Sequence, residues 1–292
     1  MDKMISKLKI SDGKDFSLKN FDAGYADGFN KSDAKAVLDD LIEQTFDLQT
    51  ELYAANKYAL LIIFQAMDAA GKDSAIAHTL SGINPQGCQV YSFKQPSTED
   101  YDHDFLWRHY KALPERGRIG IHNRSHYENV LISKVHPELL LNERLPGITS
   151  VKDADHHFWA KRYESIRSFE DHLTRNGTVI IKFFLNVSKD EQKERFLERI
   201  DDPKKNWKFS SADIEERQQW DEYMHAYEKA IKETATKDCP WYIVPADKKW
   251  FTRIAISSII LETLKNLNLK YPTLPKEEKL KLEESKKRLE RE

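Results

Sequence analysis

Ala59-Leu60-Leu61-Ile62-Ile63-Phe64-Gln65-Ala66-Met67-Asp68-Ala69-Ala70-Gly71-Lys72-Asp73-Ser74 decides the fold. The apolar run 59–64 reads as a buried parallel strand. A turn of small residues follows, then Gly-Lys, then a segment (73–80) able to start a helix. That order is the layout of a phosphate-binding loop. Backbone N–H groups at a helix N-terminus face an anion, and a lysine adds a full charge. The match to G-x-x-x-x-G-K-[ST] is partial, because Ala66 holds the first glycine position and Asp73 the hydroxyl position. Ala66 allows the turn with less φ freedom than glycine. Asp68 is the replacement for the lost magnesium-binding hydroxyl. The competing reading is an ordinary strand-to-helix turn with Lys72 in solvent.

Composition agrees with one large α/β domain carrying helical extensions. The chain has 292 residues, a formal net charge of -2 and a 32% charged fraction of mixed sign. A polyanionic partner must therefore be held by local segregation of charge. Ten glycines and ten prolines argue against an all-β fold. Two cysteines, Cys88 and Cys239, read as buried reduced thiols of a cytoplasmic protein. Residues 1–10 lack a signal-peptide core, and no apolar run is long enough to span a bilayer.

Working outward, residues 1–31 read as an arm with aromatic anchors (Phe16, Phe21, Tyr25, Phe29). Ser32 can cap a helix over about 33–56 that packs on the sheet through Leu38, Leu41, Leu48, Leu52 and Ala55. Further strands are expected at 88–93, 118–122, 178–185 and 241–244, alternating with helices. Together with 59–64 they make a doubly wound, mostly parallel five-stranded sheet with helices on both faces. Residues 101–112 read as a helix. Ser188 can cap a helix over 189–201, and Ser210 with Asp213 resembles a capping box for a helix of roughly 211–236. The main domain spans about 32–270, with a helical lid near 200–235 and a charged tail, 271–292.

Candidate site residues cluster at strand ends, where α/β sheets place ligand contacts. Lys94 lies in the loop after the second strand. From Phe105 to Tyr127 five Lys or Arg residues, Arg116 and Arg124 among them, face one acid, making an anion wall. Arg195 and Arg199 are four apart on one helix, hence one above the other, although pairing with Glu191 and Glu198 competes for them. The stretch Pro203 to Ser210 carries Lys204, Lys205 and Lys208 and no acid. Asp155-His156-His157 reads as a surface loop, and His122 with His126 does not make a zinc pair at a strand end. With no nucleophile–base arrangement in view, phosphate-to-phosphate transfer suits the sequence, because a phosphate acceptor needs no strong general base.

These motifs together resemble family-2 polyphosphate kinases: Met67 to Asp73, Lys94-Gln95-Pro96-Ser97, Leu113-Pro114 with Gly117, Asn123 to Glu128, Glu191-Gln192 with Arg195 and Arg199, Pro203 with Trp207-Lys208 and Ser210-Asp213, Pro240-Trp241 with Asp247-Lys248-Lys249. The resemblance covers about 50–270 and implies a P-loop kinase-like fold with reversible, magnesium-dependent transfer between inorganic polyphosphate and a nucleotide. Manganese is the alternative ion. It implies Asp68 as a magnesium ligand, Lys72 on the phosphates, and Arg124, Arg195 and Arg199 on the transferring phosphoryl group. Arg116, Lys204, Lys205 and Lys208 would meet polyphosphate or close the lid. Ala69, Ala70, Gly71, Asp73, Ser74, Lys94, Asn123 and Glu128 complete the phosphate and nucleotide set. The run Ser125-His126-Tyr127-Glu128 followed by Val130-Leu131-Ile132 resembles the class III subgroup, which accepts AMP and ADP. Asn123 stands where many members carry Asp; its amide oxygen can ligate a metal but brings no charge, with Glu128 or water to compensate. Adenine nucleotides are the expected partners, guanine nucleotides the alternative, and a homodimer or homotetramer the expected assembly. Nucleic acid and membrane are not expected partners. The rival readings are an ATP-dependent nucleotide kinase on the same fold and a non-catalytic polyphosphate or nucleotide sensor.

Overall fold

A computed structural model describes residues 1–292. The order of elements is α1 (Asp2–Leu8), β1 (Lys9–Ile10), α2 (Ala34–Ala55), β2 (Ala59–Gln65), α3 (Lys72–Thr79), β3 (Cys88–Ser92), α4 (Thr98–Tyr101), α5 (Trp107–Tyr110), β4 (Ile119–Asn123), α6 (Ile132–Val135), α7 (His156–Arg175), β5 (Thr178–Asn186), α8 (Lys189–Asp201), α9 (Ser211–Gln218), α10 (Trp220–Thr234), β6 (Trp241–Pro245), α11 (Lys249–Asn266) and α12 (Lys276–Leu289).

Strand β2 is apolar at six of seven positions and buried at all seven, so it can only lie inside a sheet covered on both faces. It sits between β4 and β5, parallel to each, in the order β1-β6-β5-β2-β4-β3. The register sets Ser92, Asn123, Phe64 and Phe183 in one row near the carboxyl ends. The chain leaves β2 for the β3 edge and later returns to the other side, so its strand order reverses at β2. A ligand crevice is expected there.

Five parallel strands are as the sequence predicts; the sixth comes from the amino-terminal arm. Two-residue β1 pairs antiparallel with β6, and α1 buries Met4, Ile5 and Leu8. Phe16 packs on Phe21 at 5.6 Å, while Tyr25 and Phe29 each lie 6.0 Å from Phe251. Gly13 lets the arm touch α10: a Cβ there would lie 2.0 Å from the Lys232 carbonyl oxygen.

Other expectations shift with packing. Helix α2 lies on α11 rather than on the sheet, through Ala34, Leu41, Ile254 and Leu261; α11, buried over most of its length, is the layer beneath it. Asp33, not Ser32, precedes α2, and its side chain makes no capping bond. Of the helix expected over 101–112 only the four-residue α5 forms, α4 ending at Tyr101. Ser188 does cap α8, accepting from Glu191 N–H at 3.1 Å. The expected helix 211–236 divides at Gln219. Helix α9 buries no residue, whereas α10 buries Trp220, Tyr223, Tyr227 and Ile231. Within the expected lid, 200–235, about 202–219 therefore stands off the core while α10 belongs to it. Helix α12 buries nothing.

Candidate active site

The loop leaving β2 is shaped by two left-handed residues, Ala69 (φ +59) and Gly71 (φ +101). Glycine freedom is thus required at 71, and Ala66 needs none. Gly71 opens α3, whose first nearby backbone bond is Ala75 N–H to the Gly71 carbonyl at 2.9 Å. The amides before it have no acceptor within the helix and are available to an anion. Lys72 folds back over the loop, donating to the carbonyls of Ala66 (2.8 Å) and Met67 (3.4 Å). It is only 9% exposed. Burial and the neighbouring Arg124 push its ammonium down to about 8, against the pull of Asp68.

Arg124 follows β4 with φ +65, a conformation an arginine adopts only when its surroundings impose it. Three neighbours do so. Arg124 N–H continues the sheet to the Phe64 carbonyl at 3.0 Å. Ser125 accepts from the Gln65 amide at 3.0 Å and from Tyr127 N–H at 3.2 Å. Tyr127 donates to buried Glu170 at 2.7 Å. The guanidinium then reaches Asp68 at 2.7 Å and Glu128 at 3.5 Å. Those carboxylates, Glu128 foremost, hold its pKa above the ordinary value.

A cavity of about 670 Å³ opens beside the loop. Lys72 and Arg124 share it with Asp68, Ala69, Gly71, Asp73, Ser74, Lys94 and Asn123, and Arg195, Arg199, Lys205 and Lys208 line it from α8 and the excursion after it. Ala70 and Glu128 stand directly behind, through their bonds to Arg195 and Arg124.

Three expectations change. Arg116 lies at the opposite end of the sheet, donating to the Lys57 carbonyl at 2.8 Å just before β2, because it precedes β4 rather than following it. Lys204 is exposed and does not line the cavity. Arg195 faces the cavity, but its donors are committed: Nε to Glu191, Nη1 to the carbonyls of Ala69 and Ala70, Nη2 to those of Ala246 and Asp247. It holds the loop rather than reaching across it. The pairing of Arg195 with Glu191 weighed in the sequence is real as well.

Sequence reasoning missed Ser92, Phe93, Glu198, Trp207, Asp213 and Lys249 as lining residues. The signals were present. Phe93 and Lys249 each follow a parallel strand within a few residues, and Trp207 is 78% exposed in the lysine-rich excursion. Asp213 read as a cap; instead it lies 3.5 Å from Arg199, and burial, then Asp68, raise its pKa.

The oxygen donors Asp68, Asp73, Asn123 and Asp213 suit a hard divalent cation. Asn123 donates its amide to Asp73 at 2.7 Å, so a carboxylate does stand beside it. Glu128 is turned to Arg124 and does not fill that role. No group of three or more His, Cys, Asp or Glu side chains converges as a metal cage.

The family model for polyphosphate kinase 2 (PPK2) matches residues 28–272. An ADP-polyphosphate phosphotransferase of Rhodopseudomonas palustris is 59% identical over 231 residues, 79% of each chain. An AMP/ADP-polyphosphate phosphotransferase of Meiothermus ruber is 41% identical over 273 residues, 92% of this chain and 96% of the relative. The crystal structure of polyphosphate kinase 2 from Arthrobacter aurescens superposes with a TM-score of 0.85 at 39% identity, covering 96% of both chains. No helix is long and apolar enough to cross a membrane.

Proposed function

Because the chain belongs to the polyphosphate kinase 2 family, we infer that it is a polyphosphate-dependent nucleotide kinase, passing the terminal phosphoryl group of inorganic polyphosphate to an adenine nucleotide. The observation that carries this is the shared cavity of Lys72 and Arg124. One wall is a phosphate loop; the other carries the cations Arg199, Lys205, Lys208 and Lys249, Lys205 paired with Glu198 and Asp202.

A terminal phosphate oxygen of AMP or ADP attacks the last phosphorus of polyphosphate. The bond from that phosphorus to its bridging oxygen breaks, and the polymer leaves one unit shorter. Lys72 and the α3 amides hold phosphates. Arg124 and Arg199 face the equatorial charge of the transferring group, where cations lower the barrier most. Asp68 and Asp73, with the Asn123 amide oxygen, would hold magnesium or manganese, which shields phosphate charge when bound. Lys205 and Lys208 engage the polymer, and closure of 202–219 as a lid excludes water.

Acceptance of both AMP and ADP is supported by the likeness to the Meiothermus relative and by the 125–132 run. Guanine acceptors are the alternative. Exposed Val90 and Tyr91 on the edge strand β3 support self-association as a dimer or tetramer. Two unpaired cysteines support a cytoplasmic location.

The test incubates the protein with AMP, ADP, GMP or GDP, polyphosphate and magnesium, without ATP, and reads products by chromatography. ADP or ATP formed from the adenine acceptors is expected. Product only when ATP is the donor would favour an ordinary nucleotide kinase. Binding without turnover, unchanged in Asp68→Ala, would favour a sensor.

A further inference from the structure

Gln192 on α8 is fully buried, and both ends of its amide are occupied by groups from outside α8. Its Nε2 donates to the Asp68 carbonyl in the phosphate loop at 2.8 Å. Its Oε1 accepts from Arg217 Nη1, on α9, at 2.7 Å. Arg217 Nη1 also donates to the Lys189 carbonyl at 2.8 Å, at the start of α8. A carbonyl can only accept and a guanidinium can only donate, so the amide has one allowed orientation. The contact therefore runs from lid helix to loop through a single side chain.

We propose that Gln192 and Arg217 are positioning residues that couple the seating of α9 to the main chain of the phosphate loop at Asp68. The proposal rests on the kinase reading above for its consequence and on geometry alone for its existence. When α9 docks, Arg217 fixes the Gln192 amide, and the amide fixes the peptide whose side chain pairs with Arg124. When α9 lifts, the Gln192 oxygen loses its donor and the loop loses its lateral hold. Docking thereby reports lid closure to the groups that meet the phosphates. No substrate is touched by either residue. The opposite side of α9 is tied separately: Glu216 accepts from Tyr223 at 2.6 Å and meets His136 at 3.0 Å. Asp213, also on α9, meets Arg199 at 3.5 Å beside the cavity, while Arg217 is the α9 side chain that reaches the loop main chain through Gln192.

The experiment compares Arg217→Ala, Gln192→Met and the double variant in the full chain. Each single variant should lower kcat about tenfold with a smaller change in KM for nucleotide, and the double variant should fall no further, because one linkage is broken in all three. Amide hydrogen exchange over 203–218 should quicken in both singles, and exchange at Asp68 to Ala70 should quicken with it. A double variant showing the product of the two losses, or unchanged loop exchange in Arg217→Ala, overturns the proposal. Arg217 is half-buried on a helix that buries nothing, so its variant folds even if Gln192→Met does not. Should the wild type lack polyphosphate-dependent turnover, the kinase reading falls and exchange alone still decides the coupling.

Discussion

Arg195 Nη1 donates to the Ala70 carbonyl oxygen at 2.6 Å, joining the middle of α8 to the back of the phosphate loop. The same guanidinium reaches the chain just after β6 through the Ala246 carbonyl, also at 2.6 Å. One planar cation thus fixes two segments relative to each other. A lysine cannot fork in this way. Arg195→Lys should lower kcat by about 100-fold, because small displacements of positioned phosphates are that costly. The melting temperature should fall as well. Steady-state kinetics beside a thermal scan would check both; wild-type kcat in this variant would show that the loop holds its shape unaided.

Lys72 is a site where function opposes stability. Its pKa lies at about 8 in the folded chain against 10.5 for an ordinary lysine. Between these values the unfolded chain binds the extra proton, so stability rises as pH climbs from 8 to 10.5 and the charged lysine is a burden at pH 7. Lys72→Met should abolish turnover yet leave unfolding free energy equal or higher, by up to a few kcal/mol. In the wild type, KM for the phosphate substrates should stay flat below pH 8 and climb above it, as the ammonium that meets them is lost. Urea titrations and a pH series of initial rates measure the two effects.

Ala69 holds φ +59 without being glycine, a conformation costing an L-residue about 1 kcal/mol or more. Arg195 Nη1 donates to the Ala69 carbonyl at 3.1 Å and keeps the turn in place. Ala69→Gly should leave the melting temperature unchanged or raise it, whereas Ala69→Val should lower it, since a β-branched residue fits that region worst. A reversed order in differential scanning fluorimetry would remove strain from the account.

The loop also shows how far the sequence could be read. The apolar run into Gly71-Lys72 is local information, and it located the strand, the turn and the helix start. The position needing left-handed freedom was not legible, because Ala66 and Ala69 look alike until the turn is traced. Alternating strands and helices likewise conveyed the parallel sheet, while two-residue β1 is too short to carry a pattern. Arg116 and Arg124 belong to one basic segment, yet β4 runs between them and sends them to opposite ends. The split of the long helix at Gln219 follows from what each half can bury: Trp220, Tyr223 and Tyr227 face the core, and nothing in 211–218 does.

Glu170 and Lys182 form a buried ion pair at 2.6 Å, with side chains 2% and 0% exposed. Lys182 also donates to the Tyr127 hydroxyl at 3.0 Å and the Thr234 carbonyl at 2.9 Å. Glu170→Gln would leave the ammonium without its counter-charge and should cost about 3–5 kcal/mol in urea unfolding. Pairing Glu170→Leu with Lys182→Met should recover most of that loss, because two desolvated charges are removed together. A single-variant cost under about 1 kcal/mol would mean that water reaches the pair.

His109, His122 and His126 lie together behind Phe93, with His109 6.1 Å from His122 and 5.8 Å from His126 between ring centroids. Burial lowers all three pKa values, that of His122 to about 4. An unfolded histidine titrates near 6.5, so between 6.5 and 4 the unfolded chain binds protons that the folded chain refuses. Stability is therefore complete above about 6.5 and drains away as pH falls. At pH 5 His122 alone should account for about 2 kcal/mol of that loss. His122 lies next to the cleft wall, since Phe93 lines the cavity 4.9 Å from its ring. His122→Phe removes the titration and sacrifices the bond to the Ala112 carbonyl at 3.0 Å. It should be less stable than the wild type at pH 7 and lose less between pH 7 and pH 5. Urea unfolding at the two pH values gives both quantities, and equal pH losses in the two proteins would remove His122 from the acid response.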